Sequence, residues 1–247
     1  MKTALAIILT PVFYLLAYVL VIILGAVYII SFPIPARYMQ RYIQLCCRII
    51  LLCCGQWVRV VGKPPDQDGG PYLYLINHGS AFDAFMIGAM IPKYFGIVAA
   101  EYNFKLPLWG SIARRFGAIP VERAKLKEAI ASMNEAEKIL TDPIDDKRRS
   151  VVIFPEGTRT LDGHLQPFKK GAFHIAKNTN VVIVPCGIRG AYESYNRNTW
   201  LIRPGVITWV WGEPEYELAC NYRYCSVEEL ADYFYRKVGI LIGEIKA

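Results

Sequence analysis

His78 and Asp83 stand five positions apart in Asn77-His78-Gly79-Ser80-Ala81-Phe82-Asp83, between an apolar run and a stretch with helical spacing. Residues of these types at this spacing support two chemistries. Ser80-Ala81-Phe82-Asp83 is an S-x-x-D capping box, able to satisfy the first free N–H groups of a helix. A histidine with a nearby carboxylate is also a general base with its orienting partner. The cap accounts for Ser80 and Asp83 and leaves His78 without a task.

Two further polar clusters share this setting. Gly117-Ala118-Ile119-Pro120-Val121-Glu122-Arg123 leads into Lys125 and Lys127, and Phe154-Pro155-Glu156-Gly157-Thr158-Arg159-Thr160 is followed by Phe168-Lys169-Lys170-Gly171. Each alone reads as a turn or a strand-ending loop. Three polar strand exits in one chain are harder to assign to solvated surface. Ser80 lacks a G-x-S-x-G context, which argues against a serine hydrolase. His164, in a polar Asp162-Gly163 turn, and His174, on a helix, are expected to do no chemistry. No P-loop or G-x-G-x-x-G pattern points to a nucleotide or dinucleotide, and neither a cofactor nor a metal site is expected.

The elements that must position these clusters follow from hydrophobic patterning. From Gly55 onward, "WVRVVG", "PYLYLIN", "YFGIVAA", "FGAIPV", "VVIFPEG", "VVIVPCGI" and "VITWVW" read as strands, several nearly continuous in apolar residues as strands covered on both faces are. Helical spacing covers 80–91, 106–115, 124–140, 168–178 and 226–245. The alternation predicts an α/β fold, an αβα sandwich around a mostly parallel sheet of about seven strands. In such folds chemistry gathers where strands end and helices begin. Residues 142–147 read as a polar surface loop.

The first 56 residues differ in kind. Residues 3–36 carry no charge, and Ala4 to Ile30 as a helix would be about 40 Å long, more than a hydrocarbon core of about 30 Å. A break at Ser31-Phe32-Pro33-Ile34-Pro35 precedes a second helix from Ala36 to about Gly55. On it Arg37, Arg41, Gln44 and Arg48 fall within roughly 60° of one another, the pattern of a helix lying among lipid phosphates. No acidic residue precedes Asp66, and six of the net seven positive charges lie before it. That placement favours anionic phospholipid over nucleic acid as a partner. The seven cysteines, four in the pairs Cys46-Cys47 and Cys53-Cys54, have no histidine near and read as reduced apolar filler.

In order and separation, N-H-x-S-x-x-D at 77–83, G-x-I-P-V-x-R at 117–123, F-P-E-G-T-R at 154–159 and Val184-Pro185-Cys186-Gly187-Ile188 resemble the four signatures of the glycerophospholipid acyltransferases, those acting on 1-acyl-glycerol-3-phosphate in particular. The fourth departs from V-P-V-x-I only at Cys186. The resemblance covers about residues 57–212. It implies acyl transfer from a thioester, on acyl carrier protein or coenzyme A, to the sn-2 hydroxyl of lysophosphatidic acid. His78 would be the base and Asp83 its orienting partner. The acceptor phosphate would fall to Arg123 and Arg159, with Lys105 and Lys169 in support. Gly157 and Thr158 would line the substrate, and Glu156 would bond an acceptor hydroxyl or Arg159. The resemblance further implies a two-helix membrane-embedded motif at 1–56, a catalytic domain at 57–247, and a place on the cytoplasmic face of the inner membrane. Two alternatives stay open: glycerol-3-phosphate or another lysolipid as acceptor, and a non-catalytic lipid-binding protein that keeps the fold.

Overall fold

The computed structural model describes residues 2–31, 33–66, 68–105, 109–122, 126–142, 149–219 and 221–246. Two helices come first, α1 (Lys2–Ile30) and α2 (Gln40–Cys53), joined through a 3-10 turn at Ala36–Met39. Then follow β1 (Gln56–Val61), β2 (Tyr72–Ile76), α3 (Phe82–Met90), β3 (Phe95–Ala100), a 3-10 turn at Glu101–Lys105, α4 (Trp109–Arg115), β4 (Ala118–Val121), α5 (Leu126–Thr141) and β5 (Ser150–Ile153). The chain closes with α6 (Gly171–Thr179), β6 (Val182–Arg189), the short α7 (Ala191–Ser194), β7 (Gly205–Trp211), the short α8 (Tyr216–Ala219) and α9 (Val227–Ile242).

All seven expected strands join one sheet in the order β1-β7-β6-β2-β5-β3-β4. Every neighbouring pair is parallel except β6 and β7, so β1 and β7 run against the other five. The carboxyl ends of β6, β2, β5, β3 and β4 therefore share an edge with the amino ends of β1 and β7. The central strand β2, Tyr72-Leu73-Tyr74-Leu75-Ile76, is buried throughout, as its unbroken apolar run requires.

Side chains alternate between two cores. Tyr74, Ile76, Val184 and Trp209 face α2 and α3, while Leu73, Leu75, Val151 and Ile183 face α5, α6 and α9. This is the expected αβα sandwich. On the first side α2 lies against α3 closely enough that a Cβ on Gly88 would sit 2.5 Å from Cys47 Sγ. A methyl there would overpack the interface, at about 1–3 kcal/mol. The described cysteines are free thiols, with Cys46 and Cys54 buried.

One stripe of α1 packs on the domain through Ala6, Thr10, Phe13, Ala17, Leu20 and Leu24, steps of three and four that keep a single face. The other faces leave Leu15, Tyr18, Ile22, Ile29 and Ile30 exposed. Thr3–Val27, with a mean hydropathy of 2.7, is long and apolar enough to cross a membrane. Near its start, Thr10 Oγ1 accepts from Ile202 N (2.9 Å) and Tyr14 Oη donates to Trp200 O (3.0 Å). Near its end, Arg115 Nη2 donates to Ser31 O (2.8 Å) and Ile34 O (2.6 Å). Since Ile202 lies by the amino end of β7 and Arg115 just before β4, α1 runs the height of the sheet and α2 returns along it.

The arginine stripe of α2 is divided. Gln44 Nε2 donates to Ile91 O (2.9 Å) and Arg48 Nη2 to Ala89 O (3.3 Å), satisfying carbonyls at the end of α3. Arg37 and Arg41 face outward. Helical periodicity puts four residues on one face; it says nothing of what that face meets.

Candidate functional site

The site grows out of the end of β2. The side chain of Asn77 extends the β2–β6 ladder by one rung, donating from Nδ2 to Ile188 O (2.9 Å) and accepting at Oδ1 from Ile188 N (2.7 Å). The chain thus leaves the sheet at a fixed point, and the next residue is His78. Its backbone is clamped by the loop after β5, where His78 N donates to Glu156 Oε1 (2.5 Å) and His78 O accepts from Thr160 N (2.9 Å). Its ring stacks on Phe154, centroid to centroid 3.9 Å and 14° between planes.

His78 Nδ1 lies 2.8 Å from Asp83 Oδ2. Asp83 sits in the first turn of α3, fully buried, where the helix dipole favours negative charge. The same Oδ2 accepts from Gly79 N and Ser80 N, both at 2.8 Å. The bond to Ser80 N is one half of the capping box. The other half is shifted by a residue, with Ser80 Oγ accepting from Phe82 N (3.0 Å) and donating to Tyr195 O (2.5 Å). Asp83 is therefore cap and histidine partner at once. An acceptor carboxylate on Nδ1 puts the proton of neutral His78 there and leaves Nε2 as the basic nitrogen. Nε2 has no hydrogen-bond partner among the described residues.

Glu156 corrects one expectation. Instead of meeting Arg159, both of its oxygens are held by backbone N–H groups, Oε1 by His78 and Oε2 by Gln166 (2.9 Å). It is 3% exposed, and burial pushes its carboxyl up to about 7 against the opposing pull of those two bonds. A brace between two loops explains why a carboxylate occupies a site expected to be cationic. A cleft of about 280 Å³ opens beside the dyad, lined by Asn77, Gly79, Thr160, Leu165, Tyr192 and Glu244 among others.

Comparison with known proteins bears on this arrangement. A model of the acyltransferase family, described simply as "Acyltransferase", matches residues 58–189, which include His78, Asp83, Glu156 and Arg159. The chain belongs to the acyltransferase family. Among similar proteins, the 1-acyl-sn-glycerol-3-phosphate acyltransferase of Cocos nucifera is 33% identical over 154 residues, covering 60% of this chain and 49% of that protein. The enzyme of the same name from Saccharomyces cerevisiae is 29% identical over 181 residues, covering 69% of this chain and 58% of its own. This family member thus spans about half the length of the curated relatives it matches. A crystal structure of the 1-acyl-sn-glycerophosphate (LPA) acyltransferase PlsC from Thermotoga maritima aligns over 100% of both chains with a TM-score of 0.79 and 25% identity.

The cations of this acyltransferase-family chain are held more loosely than the dyad. Arg159 is half-buried, and its side chain has no hydrogen-bond or ion-pair partner among the described residues. Lys169 is exposed, with its backbone N bonded to Pro155 O (2.8 Å) and its side chain laid over Gly157. Gly157 has φ +75°, and a Cβ there would come within 2.8 Å of Lys169 Cε and Nζ, so glycine lets the lysine cross the loop. Thr158 is exposed and its Oγ1 accepts from Arg197 Nη1 at 3.5 Å. Lys105 pairs with Glu101 at 3.5 Å at the carboxyl end of β3, further along the same edge. Arg123, with Lys125, lies outside the described residues.

The sequence reading assigned no role to Asn77, Gln166, Tyr195 or Arg197. An asparagine at a strand exit could have been read as a ladder-closing side chain. The other three act across loops that leave no periodic trace.

Proposed function

We propose that this chain transfers an acyl group from a thioester to the sn-2 hydroxyl of 1-acyl-glycerol-3-phosphate, forming phosphatidate for phospholipid synthesis. The observation that carries this reading is the 2.8 Å contact of His78 Nδ1 with a buried Asp83, which leaves Nε2 free at the carboxyl edge of the sheet. The names of the relatives support the choice of acceptor.

On this reading, Nε2 of His78 takes the hydroxyl proton as the acceptor oxygen bonds to the thioester carbonyl carbon. The carbon–sulfur bond then breaks. The leaving thiolate takes the proton back from the imidazolium, so ester and free thiol form with no net proton change. Asp83 keeps the ring in the productive tautomer and favours the imidazolium. Glu156 acts through the backbone of His78 as a positioning residue. Arg159, Lys169, Lys105 and Arg123 supply charge for the acceptor phosphate, and Gly157 and Thr158 line it.

Residues 1–56 would serve as a two-helix anchor in one leaflet of an anionic bilayer, with residues 57–247 as the catalytic domain on the cytoplasmic face of the inner membrane. The exposed apolar faces of α1 support this placement. Acyl carrier protein and coenzyme A present the same thioester, so both are candidate donors. The test is a donor screen on the purified chain with a defined lysophosphatidate, products separated by mass. Phosphatidate from at least one donor is expected. A folded protein that forms none from either would refute the reading.

A further inference from the structure

At the opposite edge of the sheet, where β3, β4 and β5 begin, a second cleft of about 1040 Å³ lies between the 35–41 segment, the 92–94 loop, the end of α5 and Arg149. Five cations line it, Arg37, Arg41, Lys93, Lys138 and Arg149, against the carboxylates Glu135 and Asp142. Nothing in the transfer reaction uses them.

Their arrangement differs from a solvated basic face. The Arg149 guanidinium lies 4.9 Å from the centroid of the Tyr94 ring and against the backbone of Gly117, and its buried Nε has no partner among the described residues. Arg41 and Lys138 are exposed and have no ion-pair partner among the described residues. Lys93 pairs with Asp68 at 3.3 Å, but Arg41, Lys138 and Arg149 stand around the concave surface without a carboxylate partner among the described residues, an arrangement complementary to an anion. The cleft is far larger than an inorganic phosphate needs. Its rim is apolar and lies where α1 ends. Tyr38 is 68% exposed and Ile34 48%, while Ile29 and Ile30 are exposed just before the turn that Arg115 pins. An aromatic ring and arginines together at the end of a long apolar helix mark the depth of lipid headgroups.

We propose that this cleft binds the anionic headgroup of a membrane glycerophospholipid, with Arg41, Lys138 and Arg149 on its phosphate, at a second site separate from the acceptor site at the other edge of the sheet. The dividing of the α2 stripe fits this: Gln44 and Arg48 serve the end of α3, and Arg41 faces the cleft. This inference rests on the bilayer anchoring proposed above and not on the transfer reaction.

The test uses the full chain in neutral detergent, offered phosphatidylglycerol and phosphatidylcholine in equal amounts, with bound lipid counted by native mass spectrometry. The unaltered chain should retain phosphatidylglycerol in preference. Arg41→Gln with Lys138→Gln should cut that preference about tenfold, since each cation near an anionic headgroup contributes comparably. Both side chains are exposed, so their loss leaves the core intact. Arg59→Gln with Lys63→Gln removes the same charge from exposed positions on and after β1 and should leave the preference in place. His78→Ala should also leave it in place, which separates a failure here from a failure of the proposed activity. The proposal is overturned if the unaltered chain shows no preference, if Arg41→Gln with Lys138→Gln keeps it, if the control pair loses it equally, or if inorganic phosphate at the same concentration displaces the lipid.

Discussion

At the carboxyl edge of the sheet, two sets of polar side chains are held in opposite ways. His78, Asp83 and Glu156 are fixed by backbone N–H groups and by each other at 2.5–2.9 Å, in positions set before any substrate arrives. Arg159 and Lys169, a few residues along the same loop, have side chains without bonded partners among the described residues, and Lys105 has only an exposed i, i+4 pair. The difference follows from the tasks proposed for them. Proton transfer is lost with small displacements, so its groups must be immobilised by the fold. A phosphate is held by charge and several donors, and flexible cations can close on it after it binds. If the division is real, substitutions in the first set should act on turnover and those in the second on acceptor affinity.

The largest effect expected is from His78→Ala, a fall in kcat of about 10² or more with an unchanged melting temperature. More than about a tenth of the rate remaining in folded protein would remove His78 from the first set. Asp83→Asn should lower kcat by about 10² with little change in KM, because a neutral amide at the position of Oδ2 neither favours the imidazolium nor fixes the tautomer as the carboxylate does. Steady-state kinetics at saturating acceptor separates the two constants.

Glu156→Gln tests whether the brace belongs with the fixed groups. The carboxyl titrates near 7 in the folded chain, against 4.5 as its ordinary value. The folded state therefore binds the proton more tightly than the unfolded one. The stability carried by the neutral form is full below about 4.5, is lost as pH climbs to about 7, and changes no further above that. Across this window the unfolding free energy of the unaltered chain should fall relative to Glu156→Gln by about 3 kcal/mol, measured by urea unfolding at a series of pH values. A difference that stays flat with pH would show a solvated carboxylate and place Glu156 with the loose set.

Arg159→Ala should have the smallest effect, about a tenfold rise in KM for the phosphorylated acceptor and little change for the thioester donor. Arg159→Lys should recover part of it, since an ammonium cannot form the bidentate pair. Equal defects toward both substrates would end the distinction drawn here.

The fixed set was easier to read from the sequence than its bonding. His78 and Asp83 are close in the chain, so their residue types and short spacing suggest a base with its orienting carboxylate, and the seven strands follow from apolar runs. Strand order and the reversal of β7 against β6 depend on pairings between distant segments, for which β-branched composition carries no label. Glu156 was legible as a site residue but not as a brace, because its partners are the backbone of His78, 78 positions away, and of Gln166. Backbone N–H groups are the same at every residue, so no side-chain pattern announces them.

The two strands that run against the rest have a consequence for how substrate is counted. Because β1 is parallel to β7 and both oppose β6, β1 begins on the catalytic edge, and α2, which ends at Cys53, delivers the chain there. Had β1 run with the other five strands, the two N-terminal helices would end at the far side of the sheet from His78. With the proposed anchor beside the dyad, a lysolipid can be taken and its product returned by sideways exchange within one monolayer. The concentration that governs the rate is then a surface density. Diluting the acceptor with inert lipid should slow turnover, while diluting the vesicles in buffer should not.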